Sequence, residues 1–339
     1  LFPDGTIEFS SFLNANDEIL TVATQNDGKI ILGGRFTTYA VMARNHVVRL
    51  GNNGSIDLEF DPGTGADTTV NTIALQSDGK IIIGGEFSLY NGTARKHIAR
   101  LFPDGSLDTD FDPGTGSNGP ISAIALQSDG KIIIAGEFSF YNGTWKNRIA
   151  RLNSDGSLDT DFSPGTSANM PISEIALQSD GKIIIGGEFT VYNGVKRNYL
   201  ARLNPNGSLD TLFNNGDGPN GRVNSILMQS DGKIIIGGEF TLYDGVARDY
   251  IARIHGDNTG GTKPNDEDTA LKVYPNPAGE TLNFELQESD NVTISNMSGD
   301  IFLRQNFNIG INTIDISLLA PGSYTLRTAK GKRARFIKK

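Results

Sequence analysis

The sequence predicts an all-β protein, a β-propeller of 51-residue repeats followed by a small β-sandwich. Three observations carry this expectation. The tripeptide Asp-Gly-Lys recurs at Asp27, Asp78, Asp129, Asp180 and Asp231, always 51 residues apart, as when one supersecondary unit is copied in tandem. Each period alternates short apolar runs with turn residues, and none shows a helical period. After residue 270 the period stops, yet apolar alternation resumes.

One period shows the elements in order. Ile73 and Leu75 alternate with small or polar neighbours, as in a half-buried strand. Asp78-Gly79 then supplies a tight hairpin turn with both residues at positive φ. The continuous run Ile81-Ile82-Ile83 reads as a strand covered on both faces. A Tyr90-Asn91-Gly92 turn leads to a third strand with Ile98 and Leu101, and Gly105 to Asp108 turn into a short outer strand. Four short strands per 51 residues fit a propeller blade better than a β-helix coil. Residues 1–254 are therefore expected to form a five-blade array. Leu1 to Gly5 match Leu101 to Gly105, so the chain is expected to begin inside a repeat, as a mature form or fragment that has lost its leader. The first dozen residues are then placed to supply the outer strand of the last blade and close the ring, although a larger ring with further upstream repeats fits the same logic.

Residues 255–270 are Gly-rich and acidic and read as a flexible linker. Residues 271–339 form the second unit, with strands expected at 271–274, 281–286, 291–295, 300–307, 311–316, 322–327 and 334–338. That pattern suits a small Ig-like β-sandwich.

Composition narrows the function. A net charge of −9 argues against nonspecific nucleic-acid binding. Residues 271–339 carry nine basic and six acidic groups, a balance of +3 that leaves −12 for the remainder. The absence of cysteine excludes disulfides, thiolate metal sites and a cysteine nucleophile. No apolar run reaches the roughly 20 residues of a membrane helix, and no signal peptide is visible. There is no Ser-His-Asp order, no phosphate-cradling loop and no paired carboxylate outside the repeat register. Every candidate acid is read as repeated or as part of a turn. The chain is therefore expected not to be an enzyme and to hold no cofactor or metal. His46 and His97 share a register, but Arg148, Tyr199 and Tyr250 occupy it elsewhere, which argues against a metal site. Gly84-Gly85-Glu86-Phe87 resembles the signature of cyclic-dinucleotide synthases, one residue short, yet it recurs in nearly every repeat. Its glycines suit close strand approach or a bulge, with Phe87 packing.

Arg44, Arg95, Lys146, Arg197 and Arg248 share one register just after each Asn-Gly-type turn, and Trp145 lies beside them. Loops on a rigid scaffold are where binding concentrates. These six residues form the candidate ligand face, expected as a basic ring for an anionic glycan or a protein. The competing expectation pairs the cations with Glu86, Glu137, Glu188 and Glu239, exposed pairs worth less than about 1 kcal/mol each.

Through the run from Ile73 to Phe87, Ile98 to Leu101 and Asp104 to Asp108, the repeats resemble the delta-60 repeat family, read as β-propellers without a known catalytic set. The last unit resembles the type IX secretion sorting domain of Bacteroidota. Its marks are Tyr274-Pro275-Asn276-Pro277, the run from Asp315 through Gly322 and Tyr324 to Leu326, and the basic end from Lys332 to Lys339. That resemblance implies passage to the periplasm, folding there, and export to the cell surface or medium through an outer-membrane translocon. It implies a shuttle barrel and a sortase as further partners, and docking through Pro275, Asn276, Pro277, Gly322, Tyr324, Lys332, Arg333, Arg335 and Lys338. The propeller is then expected to be an adhesin or interaction scaffold. The alternative is a polysaccharide lyase or hydrolase with its site on a propeller face or in sequence upstream of Leu1.

Overall fold

The structure, a computed structural model, describes residues 14–213, 215–256, 271–296, 300–329 and 332–339. The chain divides into two compact units, Leu1–Thr259 and Gly260–Lys339. Every regular element among the described residues is a β-strand.

The first unit repeats one sheet five times. In blade 2, Ile81–Gly85 lies between Val70–Leu75 and Ile98–Leu101, antiparallel to both. The middle strands of blades 1, 3, 4 and 5 are Ile30–Gly34, Ile132–Gly136, Ile183–Gly187 and Lys233–Gly238. Among the described residues, the expected outer strand shrinks to a single bridge, Leu101 to Leu107 in blade 2 and Leu152 to Leu158 in blade 3. The ladder stops because Asp108 Oδ1 accepts the Asp110 amide at 3.0 Å, a local turn that competes with pairing. Each blade instead gains a miniature hairpin, Leu89–Tyr90 with Thr93–Ala94 in blade 2.

The turn chemistry also differs from expectation. Gly79 has φ 85°, but Asp78 does not join it at positive φ. The Gly79 amide donates to Gln76 O and the Gln76 amide to Lys80 O, which makes a three-residue loop with one left-handed position. Asp78 Oδ1 accepts the Lys80 amide at 3.1 Å and so stiffens the loop. The turn with two left-handed residues is at Asn91 (φ 46°) and Gly92 (φ 73°), at the hairpin tip.

Packing between blades explains the isoleucine runs. Ile81, Ile82 and Ile83 are fully buried, because one side of the sheet meets the preceding blade and the other the following one. A Cβ on Gly84 would come within 2.8 Å of Ile121 in blade 3. A Cβ on Gly85 would lie 2.1 Å from Thr69 O, beside the bulge between Val70 and Thr72. The two glycines therefore serve close approach and a bulge, and Phe87 is buried as expected. Tyr90 is buried with its hydroxyl donating to Gly105 O at 2.8 Å, a tie from hairpin to turn. The described strands of blades 1 and 5 do not pack together as successive blades do. The closing strand expected of the first dozen residues lies outside the described residues, as does the expected linker from residue 257 onward.

The second unit is a sandwich of two sheets. Thr281–Leu286 pairs with Val273–Tyr274 and Gly310–Asp315. The facing sheet runs Ile301–Phe307, Asp290–Asn296, Gly322–Thr328, Arg333–Lys338. Leu282, Phe284 and Ile314 from the first sheet meet Val292, Ile294, Leu326 and Phe336 from the second in one core.

Gly79→Val forces a β-branched residue into a left-handed conformation with Pro103 Cγ only 3.3 Å from its Cβ. A loss of about 1–2 kcal/mol is expected in denaturant unfolding. Unchanged stability would contradict the loop assignment.

Candidate functional site

The chemistry repeated most often is a buried ion cluster. In blade 3, Asp159 Oδ2 accepts Arg151 Nε at 2.6 Å and Lys131 Nζ at 2.7 Å. The Arg151 guanidinium lies over the Phe162 ring at 5.0 Å and its Nη1 donates to Pro205 O of the next blade at 2.6 Å. Asp108 with Lys80, Arg100 and Phe111 repeats the set, as do Asp57 with Lys29, Arg49 and Phe60, and Asp210 with Lys182, Arg202 and Phe213. Burial works against the Asp159 charge, but hydrogen bonds from Lys131, Arg151 and the Asp161 amide outweigh it and bring its carboxyl down to about 2. The lysine of Asp-Gly-Lys is thus a partner in this cluster, a role not read from the sequence. The recurrence of Lys, Arg, Asp and Phe at one 51-residue beat was the available signal.

The candidate ligand face is organised differently from the expected ring. Arg44, Arg95, Arg197 and Arg248 each turn back and donate Nη1 to the carbonyl of the preceding residue, as in Arg95 to Ala94 O at 2.9 Å. The first three are half-buried, and their Nε atoms have no hydrogen-bond partner. Lys146 reaches inward to Phe162 O at 2.9 Å, and burial lowers its pKa. The expected pairing with glutamates is corrected too. Glu188 and Glu239 pair instead with Arg222, at 3.2 and 2.7 Å. The cations are committed instead to backbone carbonyls, the arginines each to the residue before it and Lys146 to Phe162 O.

What the hairpins expose is apolar. Trp145 is exposed and lies directly across its hairpin from the exposed Phe140. The same cross-strand position holds Leu89 and Ala94 in blade 2, and Val191 and Lys196 in blade 4. Blade 3 therefore carries an aromatic pair on a rigid tip, since Asn118 Oδ1 accepts the Ser139 and Phe140 amides at 2.8 and 2.9 Å. Phe140 was missed because its partner across the hairpin is visible only once the pairing is known.

His46 and His97 sit at φ 64° and 66° in one register with Arg148, Tyr199 and Tyr250, and His46 Nδ1 lies 3.1 Å from Gly34 O. They belong to the strand-entry turn. Among the described residues no cluster of three or more His, Cys, Asp or Glu is placed to hold a metal. The expectation that every acid repeats or lies in a turn is wrong for Glu174. It occupies a strand position taken elsewhere by Thr21, Thr72, Ala123 and Ser225. Burial raises its pKa, opposed by the Ile175 amide donating to Oε1 at 3.0 Å. Ala123 shows that a side chain without a carboxylate fills the same place.

In the second unit two segments, joined at Asn276 and Ile337 and 61 residues apart in sequence, become one edge. The Ile337 amide donates to Asn276 Oδ1 at 3.0 Å, the Ala278 amide to Ile337 O at 2.7 Å, and the Lys339 amide to Ala278 O at 3.0 Å. Pro275, Asn276 and Pro277 are exposed beside this edge, each proline following a cis peptide bond. Lys338 belongs to it as well, bridged to Ala278. Tyr324 does not: it is buried, stacked on Phe336 at 5.7 Å, with its hydroxyl donating to Ala320 O at 2.9 Å. Gly322 opens the strand that pairs with the last one. Arg333 and Arg335 lie in that last strand, opposite Arg327 and Thr325, and the Lys332 amide donates to Thr328 Oγ1 at its entrance. The structure thus gathers Pro275, Asn276, Pro277 and Lys338, places Tyr324 in the core, and leaves Lys332 at the opposite end of the last strand.

Comparison with known proteins agrees with both units. Residues 25–60, 76–111, 127–162, 178–213 and 229–257 match a β-propeller family described as a domain of unknown function, DUF5122. Residues 272–339 match the secretion system C-terminal sorting domain. No curated protein sequence matches. Among solved structures, the chain is similar to PorZ, a bacterial surface component of the type-IX secretion system of Porphyromonas gingivalis, at 13% identity and TM-score 0.44, over 98% of this chain and 47% of that one. It is also similar to the extracellular domain of a putative hybrid two-component system of B. thetaiotaomicron, at 14% identity and TM-score 0.38, over 98% and 52%. A gluconolactonase of Xanthomonas campestris matches at 14% identity and TM-score 0.38, over 64% and 68%. The chain spans about half the length of the first two structures.

Asp159→Asn removes the carboxylate shared by Lys131 and Arg151 and leaves a buried guanidinium without its counter-charge. A loss of about 3–5 kcal/mol is expected in chemical unfolding. The depressed carboxyl also sets a pH window. Its stabilisation is fully present above the roughly 3.9 of an unfolded aspartate, and fades as pH falls toward about 2. Unfolding midpoints measured between those limits should fall in the parent and stay flatter in Asp159→Asn.

Proposed function

We infer, from the premise that this chain belongs to the DUF5122 β-propeller family and ends in a type IX secretion C-terminal sorting domain, that its two units divide addressing from binding. The sorting domain marks the protein for export by the type IX system to the cell surface or the medium. The propeller is the cargo, a binding scaffold or adhesin rather than an enzyme. The carrying observation is the edge joining Asn276 and Ala278 to Ile337 and Lys339. It supports recognition of a folded surface by the outer-membrane translocon, with the shuttle barrel and sortase acting on the same unit. Both motifs must be present and the sandwich formed before that surface exists.

On the propeller, the reading rests on the exposed Phe140–Trp145 pair. An exposed aromatic pair on an anchored hairpin suits stacking against the apolar face of a glycan ring.

Deleting residues 271–339 should trap folded propeller in the periplasm of a type IX-competent host. Asn276→Ala should lower the exported fraction severalfold while leaving the propeller folded; normal export of that variant would reject the edge as the recognised surface. On a panel of acidic and neutral polysaccharides the protein should bind without turnover, and F140A/W145A should weaken binding about tenfold, the loss of about 1.4 kcal/mol. Turnover of any polysaccharide would overturn the scaffold assignment.

A further inference from the structure

Two departures from the repeat meet at the junction of blades 2 and 3. The residue after the basic register is Asn45, Asn147 and Asn198 in blades 1, 3 and 4, but Lys96 in blade 2. Each of these asparagines donates Nδ2 to a carbonyl 19 residues onward, at Thr64, Thr166 and Asp217, over 2.8, 3.3 and 2.7 Å. That carbonyl lies in the loop entering the next blade, so the asparagine clamps its blade to the following hairpin. Lys96 makes no such bond. It is exposed, and its ammonium has no hydrogen bond or ion pair among the described residues.

The backbone at Lys96 nevertheless keeps the clamp's place. A Cβ on Gly116 would come within 2.4 Å of Lys96 O, as one on Gly65 would come within 2.5 Å of Asn45 O. Gly116 O accepts the Asn142 amide at 2.7 Å, Ser117 bridges Tyr141, and the Asn118 amide donates to Phe140 O at 3.1 Å. Lys96 therefore stands beside the blade 3 hairpin, the one that carries Phe140 and Trp145. Two chain spacings of about 5 Å each separate it from the Phe140 strand, within the reach of a flexible lysine stem. The hairpins beside Asn45 and Asn198 present Leu89 with Ala94 and Leu242 with Ala247 instead. The junction that exchanges asparagine for a free ammonium is thus the one that exchanges aliphatic side chains for an aromatic pair. The neighbouring cations are held by carbonyls: Arg95 by Ala94 O, Lys146 by Phe162 O and Arg148 by Glu137 O.

We propose, on the reading that Phe140 and Trp145 form the propeller's binding surface, that this junction takes an acidic polysaccharide. One sugar ring lies on the aromatic pair, and the carboxylate of that ring or its neighbour meets the Lys96 ammonium. The two parts select differently. The aromatic rings choose the apolar face of a sugar, whereas an ammonium is a compact charge that takes a carboxylate from a range of directions. An exposed pair of this kind changes binding about three- to fivefold, so Lys96 sets a preference for acid over neutral chains. At physiological salt the negative charge of the rest of the propeller is screened beyond about 8 Å, which leaves the local cation to decide.

Calorimetric titration of the whole chain with polygalacturonate, polymannuronate and polyglucuronate, each beside its methyl ester, reads that preference. Esterification keeps ring and linkage and removes the charge. The parent should bind at least one acid form about three- to fivefold more tightly than its ester, and the advantage should vanish as salt rises. Lys96→Asn installs the residue of blades 1, 3 and 4, so it should fold, and it should bind acid and ester alike. Lys96→Arg should keep the preference. F140A/W145A should weaken both forms together. If that double variant binds as the parent does, the aromatic surface itself is wrong. If it weakens binding while Lys96→Asn retains the acid preference, only the role of Lys96 falls. Acids that bind no better than their esters, or polyglutamate that binds as tightly as the best uronate, also overturn the proposal. Failure of every polymer to bind overturns both readings.

Discussion

A carboxylate taken out of water loses several kcal/mol unless cations and N–H groups replace the solvent. Asp57, Asp108, Asp159 and Asp210 are each placed in that situation, at the point where the third strand of a blade meets its outer turn. The requirement fixes much else. In blades 1 to 4 the lysine after the Asp-Gly turn must reach the site, so the first hairpin cannot slip in register. The arginine must lie flat on a phenylalanine to bring Nε onto the carboxylate and Nη1 onto the next blade. One ion cluster thereby couples hairpin, third strand, outer turn and neighbouring blade. Glycine in the middle strand then allows the neighbouring sheets to come close enough for the isoleucines to be buried on both faces.

The array and the sandwich were legible because both are written in short-range pattern. The isoleucine runs, the 51-residue beat and the apolar alternation after residue 270 each map onto strands by geometry alone. Turn detail was less legible. Asp-Gly and Asn-Gly look alike in sequence, but the loop between Gln76 and Lys80 has three residues and needs one left-handed position, while the Tyr90–Thr93 hairpin has two residues and needs two. The outer strand was over-read because Asp108 looks like a strand-end residue until its carboxylate is seen committed inward. Side-chain direction was illegible at the basic register. Whether Arg95 faces solvent or folds back onto Ala94 depends on the depth of the hairpin base, which no local pattern encodes.

In the tail, two of the three marks that carried the resemblance, Tyr274 to Pro277 and the basic end, meet along one edge. Tyr324 belongs to the same set of marks for a different reason, since it holds the core under the last strand through Phe336 and Phe302. Residues that recur in a motif can therefore be there for the surface or for the support beneath it, and only burial separates them.

Blade 5 departs from the pattern in one respect. Its lysine, Lys233, pairs with Asp231 of its own turn, and Arg253 lies exposed. The array is thus anchored unevenly. Among the described residues, blade 5 has no inward carboxylate, so it lacks the clasp by which Asp57, Asp108, Asp159 and Asp210 hold the arginine and lysine of their blades. Opening should begin there and run backward, so that thermal fraying and proteolytic nicking start beside the export address while the hairpin carrying Phe140 and Trp145 stays intact. The blade held least firmly is the one that precedes the export address in the sequence.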